Sequence, residues 1–573
     1  MPNVPTEDIC VVLDEALDYL SITGEISCPV QSAIQSRLRF RRELLCVLKL
    51  KNDLPTAVME ISGRVWPMLE EIKTTSDLGK PLNHCFSTRV QRTLASNYPP
   101  RPMVTVDFFD AVSFMETLCK DIDDIGQLSK IRCGEDFFTC ISVFMTRTPK
   151  PSVYIRAVVQ SFLIERRTGL VLGGQTFKCF LLSSVEMLSL PGGFLLHANC
   201  APRDTSVDQD NLNQILTEFS EKAAPHYLDA FRILCSNRSR TRRSLCHLIS
   251  QLDNVQTDAE ELDDRLHALA KESPILYGLE HRSFSYPLSS WVHHRKLVHV
   301  HQILQLGFEL NIYAPDELPG MYWHLTYICG IHLALLKRIR FFLEQDMHAR
   351  LQPSARSDSP SRLLSEERES FERAFDYLGH VYTILQANEA LSRALHALYI
   401  LLFRNKGITV RERPYSSERL RYLLRMKPFL PLGVPESVAF EEFKQESSLV
   451  DLNNEEILVE CHTKATHARK LWEQVLEHGW STHAGDDKSV SQIEQRQIEK
   501  RPPRKSVPSI DDEWTKGIKN VVRACIATSV SAVALKKMTT RRDANSISVH
   551  IPIAGEKDCW HDWWIVPKIS DPS

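Results

Sequence analysis

The sequence predicts a mainly α-helical protein: an extended multi-helical scaffold with a long helix or helical hairpin and one or two short C-terminal strands. Apolar residues recur at three- and four-residue spacing along most of the chain, which is the period of an amphipathic helix. Alternation typical of strands occurs only in the tail 546–569. With 573 residues, the chain is long enough to bury large cores in several domains.

Helical spacing predicts a series of helices in the first part of the chain. In segment 39–75, for example, Phe40 and Leu44 are four residues apart and begin an apolar helix face. A proline-rich loop at 97–103 interrupts the series. The predicted helices are 8–20, 39–75, 106–131, 134–146, 151–165 and 209–222.

A long apolar stripe lies between Pro225 and Pro274. Its members alternate at three- and four-residue steps, which places one narrow stripe on a single helix face. Pro225 suits a first helical turn and Pro274 the end of the helix, so an unbroken helix here would be about 70 Å long. The stripe consists of Tyr227, Phe231, Leu234, Arg238, Thr241, Leu245, Leu248, Leu252, Val255, Ala259, Leu262, Leu266 and Leu269.

Arginines interrupt this stripe within one turn. Arg238 occupies a stripe position, and Arg240, Arg242 and Arg243 surround it. Burying this turn against an apolar neighbour would leave charge uncompensated. Three interpretations are open: a solvated charged turn, a contact with RNA or another polyanion such as the ribosome, and a contact with an acidic protein partner. Weak helix formers at 236–239 also allow a kink or a break there.

The second half of the chain is predicted to contain further helices separated by polar linkers. The most apolar stretch, 321–342, includes histidines, a lysine and arginines, so it predicts a helix buried in protein and not a membrane span. Helices are also predicted at 371–404, 454–478 and 514–537. The predicted organisation is an N-terminal helical region 1–224, a long-helix region 225–350, a polar linker 351–369, a helical region 370–480, a disordered linker 481–511 and a C-terminal helix and tail 512–573.

Composition excludes several classes of protein. The net charge of −3 gives no global indication of a nucleic-acid binder, so any basic surface is local. The 15 cysteines are scattered without zinc or redox spacing, which predicts reduced thiols. The N-terminus lacks the basic lead and apolar run of a signal peptide, and we therefore predict a cytoplasmic protein.

Catalytic motifs are not found. The sequence contains no P-loop, nucleophile elbow, zinc-protease motif or dinucleotide fingerprint. Segment 166–171 nearly matches a loop that grips acetyl-CoA, but Val171 replaces the small residue that lets the backbone approach phosphate. The histidines of 293–301 lack further ligands at metal-binding spacing. We predict no catalytic residue, no cofactor and no metal.

Three tryptophans lie near the C-terminus, at Trp560, Trp563 and Trp564. Tryptophans often anchor a partner at the centre of an interface. Terminal segments that persist in folded chains are usually tied to the body of the protein, however. Docking of the tail on this protein's own body is therefore the favoured interpretation.

A motif beyond the arginine-rich turn resembles a known family. A tryptophan precedes a Gly-Phe-Glu-Leu-x-x-Tyr turn and a Tyr-Trp-x-Leu helix, a pattern similar to that of the auxiliary subunits of the N-terminal acetyltransferase complex C (NatC). The arginine-rich turn and the acidic segment 258–266 also resemble this family. The resemblance extends over 35–480 and is strongest over 225–330. The motif residues are Trp291, Gly307, Phe308, Glu309, Leu310, Tyr313, Tyr322 and Trp323.

This resemblance implies a non-catalytic helical scaffold. Members of the family wrap a Gcn-related catalytic acetyltransferase subunit and recruit a small Sm-like subunit. The complex acts at the ribosome in the cytoplasm, on nascent chains that begin with methionine followed by a bulky apolar residue. The resemblance thus implies that this chain is not an enzyme and has no membrane partner.

One departure from the family concerns the N-terminal region. Members usually carry an upstream Met-Asp-Pro-Lys-Met-Asp-x-Gly segment, and no match to it precedes Arg37. We expect either truncation or divergence of this region, which affects assembly of the full complex. The alternative function is a generic helical adaptor without a connection to acetyltransferases.

Overall fold

The structure is a computed structural model, and its described residues form sixteen helices and one two-stranded sheet. The predicted mainly α-helical fold class is confirmed. Described residues are 6–22, 29–47, 54–74, 108–131, 133–147, 151–160, 177–189, 207–236, 238–272, 286–351, 361–408, 417–427, 429, 438–478, 510–540, 548–556 and 559–570.

The helices of the described chain are numbered in order. They are α1 Thr6–Ile22, α2 Pro29–Cys46, α3 Leu54–Lys73, α4 Phe108–Leu128, α5 Gly134–Thr146, α6 Val153–Val158, α7 Phe177–Ser189, α8 Val207–Cys235, α9 Arg238–Glu272, α10 Pro287–Glu309, α11 Leu318–Leu351, α12 Ser361–Arg404, α13 Glu418–Met426, α14 Phe440–Ser447, α15 Asn454–His478 and α16 Ile510–Thr540. The strands are β1 Ser548–His550 and β2 Lys568–Ser570.

The chain divides into two compact units. The first comprises Met1–Arg132, Cys140–Thr176 and Asp487–Ile510; the second comprises Cys133–Thr139, Phe177–Asp486 and Asp511–Ser573. In the first unit, α1 packs on α2, α2 on α3, and α3 on α4. Arg147 of this unit donates hydrogen bonds to Asp121 and Asp124, and all three side chains are buried.

The long apolar stripe forms a helical hairpin and not one unbroken helix. Helix α8 ends at Cys235 and α9 begins at Arg238, so the break at 236–239 is confirmed. Glu218 pairs with Arg265 at 2.7 Å, and Lys222 pairs with Asp258 at 2.7 Å. Because a later residue of α8 pairs with an earlier one of α9, the two helices are antiparallel.

The predicted role of Pro225 is wrong. This proline lies inside α8, which begins at Val207 and includes the segment predicted as a separate helix, 209–222. A proline inside a helix removes one backbone hydrogen bond. Burial of Tyr227, Leu228 and Phe231 on the following turns offsets that loss. Helix α9 ends at Glu272, and Pro274 lies outside the described residues.

Long helices form the core of the second unit. Helix α9 packs on α10, α10 on α11, α11 on α12, and α12 on α15. Helix α12 begins at Ser361, inside the segment predicted as the linker 351–369, and α8 crosses the predicted boundary at 224/225. The rest of that predicted domain organisation stays a prediction, and most of the linker 481–511 lies outside the described residues.

The C-terminal tail forms the predicted strands and packs on its own unit. β1 and β2 are antiparallel, with Val549 opposite Ile569. Trp564 is 2% exposed, whereas Trp560 remains 42% exposed. Ser531 of α16 donates a hydrogen bond to the carbonyl of Pro567 at 2.7 Å. Docking of the tail on the body is confirmed.

Helix α16 is the one helix in the described part of the chain that is long and apolar enough to cross a membrane. The stretch Asp512–Met538 has the length and composition of a membrane-spanning helix, and 44% of its most apolar window is buried inside the protein. Core helices of soluble proteins pass the same test, so one such helix is weak evidence of a membrane span. Helix 321–342, which the sequence predicts to be buried, lies within α11.

Candidate functional site

The first motif residue, Trp291, lies in a buried polar network of the second unit. Its indole Nε1 donates to Ser184 Oγ at 2.8 Å, and Ser184 in turn donates to Glu135. Glu135 also accepts a hydrogen bond from Tyr377 at 3.0 Å. These residues come from four different helices, so the network fixes the mutual positions of α5, α7, α10 and α12.

Arg295 neutralises Glu135 at the centre of this network. The guanidinium donates to the Glu135 carboxylate, and each side chain is 2% exposed. Its carbon Cζ lies 4.5 Å from the ring centre of Phe138 and 5.4 Å from that of Tyr227. Burial alone would raise the pKa of Glu135, but Arg295 and the hydrogen bonds to the carboxylate lower the pKa below its usual value.

The Gly-Phe-Glu-Leu segment closes helix α10. Asn311 has a left-handed backbone with φ of 52°. The amide of Ile312 donates to the carbonyl of Gly307 at 2.9 Å, and the amide of Asn311 donates to that of Phe308 at 3.0 Å. This pair of hydrogen bonds is the Schellman motif, which satisfies carbonyls at a helix end.

Only glycine fits at position 307, because the ring of Tyr313 packs directly on the backbone there. A Cβ at position 307 would lie 2.0 Å from Tyr313 Cζ, a distance that no side chain tolerates. Phe308 stacks on Tyr322 with ring centres 4.6 Å apart, and its ring also contacts Tyr313 at 4.9 Å. The turn therefore brings α10 and α11 into one aromatic cluster.

The Tyr-Trp segment of α11 contacts two other parts of the chain. The hydroxyl of Tyr322 donates to the carbonyl of Trp563 at 3.0 Å and accepts from the amide of Ile565 at 2.9 Å. Trp323 stacks on Tyr327 at 5.6 Å and contacts Phe443 of α14 edge-on at 5.2 Å. The motif residues thus hold together the core of the second unit and its C-terminal tail.

The arginine-rich turn lies at the start of α9. Arg240 and Arg243 are exposed, and Arg242 is half-buried. The Nε and Nη2 atoms of Arg242 are buried and have no hydrogen-bond partner in the described part of the chain. Burial raises the pKa of Tyr313 to about 12, and the positive charge of Arg242 acts in the opposite direction. The side chain of Arg238 lies outside the described residues.

The histidines of α10 are packed inside the second unit. His332 Nε2 lies 2.9 Å from His294 Nδ1, and the rings of His301 and His332 are 5.5 Å apart. Burial lowers the pKa of His294 to about 3 and that of His301 to about 4. Among the described residues, no group of three or more histidine, cysteine or acidic side chains is arranged to hold a metal ion.

The sequence predicts reduced cysteine thiols and shows a near match to an acetyl-CoA-binding loop. The cysteines whose side chains the structure describes are free thiols, and Cys119, Cys329 and Cys461 are among those buried. The near match to an acetyl-CoA loop, 166–171, lies outside the described residues.

The residues that organise the buried network were not identified from the sequence. Glu135 and Ser184 come from segments with no motif, and Asp263 lies in the acidic segment 258–266, whose family resemblance gave no structural role for it. Asp263 accepts hydrogen bonds from the amides of Leu288 and Ser289 at 3.0 and 2.9 Å, and so caps α10. One signal was present: Arg295 interrupts an apolar helix pattern, and a buried arginine requires a buried acid.

Comparisons with known proteins agree with this architecture. A family model described as NAA35-like, TPR repeats matches residues 125–554. A Drosophila melanogaster protein named N-alpha-acetyltransferase 35, NatC auxiliary subunit homolog, is 25% identical over 446 residues, covering 72% of this chain and 55% of the relative. A Saccharomyces cerevisiae protein named N-alpha-acetyltransferase 35, NatC auxiliary subunit, is 22% identical over 470 residues, covering 77% and 57%.

Solved structures show the same fold. A chain in the crystal structure of the NatC complex bound to CoA aligns with a TM-score of 0.68 at 18% identity, covering 100% of this chain and 75% of that one. A chain of the apo NatC complex aligns with a TM-score of 0.63 at 18% identity, covering 99% and 74%. The present chain spans little more than half the length of the curated relatives above.

The family model covers most of the described second unit, including the motif from Trp291 to Trp323. The motif that carries the resemblance in sequence is therefore also the structural core of the matched region. The chain belongs to the NAA35-like family of TPR-repeat proteins.

Proposed function

We propose that this chain is a non-catalytic scaffold subunit of a NatC-like N-terminal acetyltransferase complex. The proposal rests on one observation above the others: relatives named as NatC auxiliary subunits align over 72% and 77% of the chain. The long helices and the hairpin of α8 and α9 support it, since they offer extended surfaces to other subunits.

The partners follow from the proposed role. A scaffold subunit holds a Gcn-related catalytic acetyltransferase subunit and a small Sm-like subunit. The complex would acetylate, in the cytoplasm, nascent chains that begin with methionine followed by a bulky apolar residue. Substrate choice then belongs to the assembled complex, and this chain contributes by positioning the catalytic subunit.

Affinity purification of the full chain tests the proposal. We expect mass spectrometry to identify a Gcn-related acetyltransferase and a small Sm-like protein in stoichiometric amounts. The purified assembly should acetylate a peptide that begins Met-Leu and leave one that begins Ser-Gly unmodified. Calorimetry of the isolated chain with acetyl-CoA is the control, and it should give no heat of binding because the cofactor belongs to the catalytic subunit.

The purification and the calorimetry distinguish the NatC role from two alternatives, a generic helical adaptor and an enzyme. Recovery of neither partner would exclude the NatC role and favour a generic helical adaptor. Tight binding of acetyl-CoA by the isolated chain would indicate that the chain itself is an enzyme.

We further propose that Arg240 and Arg243 contact ribosomal RNA or another polyanion. Both side chains are exposed on adjacent turns of α9, and neither forms an ion pair within the described chain. Guanidinium groups bind phosphate in a bidentate manner. Arg242 is half-buried beside Tyr313 and supports the turn from within.

Replacing Arg240 and Arg243 with glutamine should weaken co-sedimentation with ribosomes. Each phosphate contact that is lost should reduce the slope of log affinity against log salt by roughly 0.7 to 0.9. Glutamine at the exposed positions Arg393 and Arg469 is the matched control, since both lie on other helices, and it should leave the slope unchanged. Unchanged co-sedimentation of the Arg240 and Arg243 variant would instead indicate a solvated turn.

A further inference from the structure

A cavity lies in the second unit beside the start of α5, between α12 and α15. Its volume is about 520 Å³, and its described lining residues all belong to the second unit. Apolar side chains form much of the wall, with Phe375, Val381 and Ile384 from α12 and Val475 from α15. No lysine or arginine is among the lining residues that the structure describes.

A carboxylate without a partner lines this cavity. Asp136 is 6% exposed, and its carboxylate forms no hydrogen bond or ion pair with the residues the structure describes. The neighbouring Glu135 differs, because Arg295 neutralises its charge. A second acid, Asp376, is exposed and also lines the cavity. The described lining of the cavity is therefore acidic and carries no lysine or arginine.

The pKa of Asp136 is low enough for its carboxylate to be mostly charged at neutral pH. Burial, and then the charge of Glu135, raise the pKa of Asp136 to about 6. The side chain is therefore mostly ionised at pH 7, although its burial makes that charge costly. A cation that enters the cavity would relieve this cost.

We propose that this cleft binds the side chain of a lysine or arginine presented by a partner protein. The apolar walls match the methylene stem of such a side chain, and the Asp136 carboxylate matches its charged head. Side chains of this kind need both an apolar wall and a charge partner, and the described lining of the cavity contains both. This inference does not depend on the proposed acetyltransferase role.

Binding of two small probes to the full chain tests the proposal. N-acetyl-arginine amide carries the cation, whereas N-acetyl-citrulline amide has nearly the same shape without charge. We expect saturation-transfer NMR to detect the arginine probe, with the citrulline probe binding at least tenfold more weakly. The affinity for the arginine probe should also fall below about pH 6, since Asp136 then becomes protonated. The other titratable groups in the described lining are Asp376, Tyr377, His380 and His478.

Asp136→Asn tests the same site with a variant of nearly identical shape. It should reduce affinity for the arginine probe at least tenfold, whereas Glu446→Gln, an exposed acid on α14, should have no effect. The variant should be at least as stable as the parent, because it removes a buried charge that has no partner. Equal binding of the two probes, unchanged binding by Asp136→Asn, or a marked loss of stability in that variant would each overturn the proposal. The comparison of probes on the unaltered chain holds whether or not the variant folds.

Discussion

Replacing Arg295 with methionine should lower the free energy of unfolding by about 3–5 kcal/mol, the usual cost of removing one partner from a buried ion pair. Methionine preserves much of the apolar volume but leaves the Glu135 carboxylate buried without a cation. The ring of Phe138 also loses its contact with the guanidinium, 4.5 Å away. Denaturant titration monitored by circular dichroism measures the change.

A double variant separates charge from packing. Adding Glu135→Gln to Arg295→Met removes the stranded charge. The amide oxygen can accept the hydrogen bond of one of the two hydroxyls, Ser184 or Tyr377, and the amide NH2 can donate to the other after that hydroxyl rotates. This variant should recover most of the lost stability. Arg393→Met is the matched control: its exposed ion pair with Glu389 contributes less than about 1 kcal/mol. An Arg295→Met variant as stable as the parent would show that the pair is not needed for the fold.

The helical architecture was predictable because helical periodicity records which side chains are buried. The prediction of 454–478 coincides with α15, and the stripe residues Leu245, Leu248 and Leu252 are all buried along α9. The interruption at Arg238 also marked the end of one helix and the start of the next. A charged turn cannot continue a buried stripe, so the break follows from the same physics.

Periodicity did not predict how far α8 extends or which helices pair. The prediction that a helix starts at Pro225 is wrong because the single lost hydrogen bond is small beside the burial of Tyr227 and Phe231 on the next turns. No repeat period was predicted either. Helix α12 has 44 residues, longer than the whole repeat of about 34 residues in a TPR protein, so the repeats are not evident as a fixed spacing.

The polar network escaped prediction because it depends on distant contacts. Glu135 and Arg295 are 160 residues apart in sequence, and Tyr377 is a further 82 residues along the chain. A single sequence contains no signal that pairs them. The motif residues were found through a family pattern. The structure places Trp291 in this network and Phe308, Tyr313 and Tyr322 in a separate aromatic cluster. Because these residues pack in the core, we propose that partners contact other surfaces, at the arginine-rich turn and at the cleft beside Asp136.

Acidification should destabilise the second unit between about pH 6.5 and pH 4. Several of its histidines are buried, and burial lowers their pKa in the folded state, while in the unfolded chain they titrate near 6.5. Below that pH the unfolded chain binds protons that the folded chain excludes, so stability decreases as pH falls. The histidines with lowered pKa on α10 and α11 are His293, His294, His299, His301, His324 and His332.

The contact between His294 and His332 offers the sharpest test of this destabilisation by acid. Charged and titratable groups around His294 include Glu135, which favours its protonation, and Arg295, His293 and His299, which oppose it. Desolvation exceeds these effects and holds the pKa at about 3. Between about pH 7 and pH 5, each histidine kept neutral in this way should cost about 2 kcal/mol of stability. The double variant His294→Phe and His332→Phe removes both titrations and retains two aromatic rings.

Urea unfolding of parent and variant between about pH 7 and pH 5 measures how much stability each protein loses on acidification. The variant should lose about 4 kcal/mol less stability than the parent on acidification, whatever its stability at neutral pH. Buried aspartates act in the opposite direction, since the pKa of Asp124 and of Asp263 is raised to about 7, but they are present in both proteins and cancel in the comparison. His467→Gln, at an exposed position of α15, is the control for replacing a histidine outside the core. Parallel curves for parent and double variant would mean that the two rings accept protons without unfolding the core.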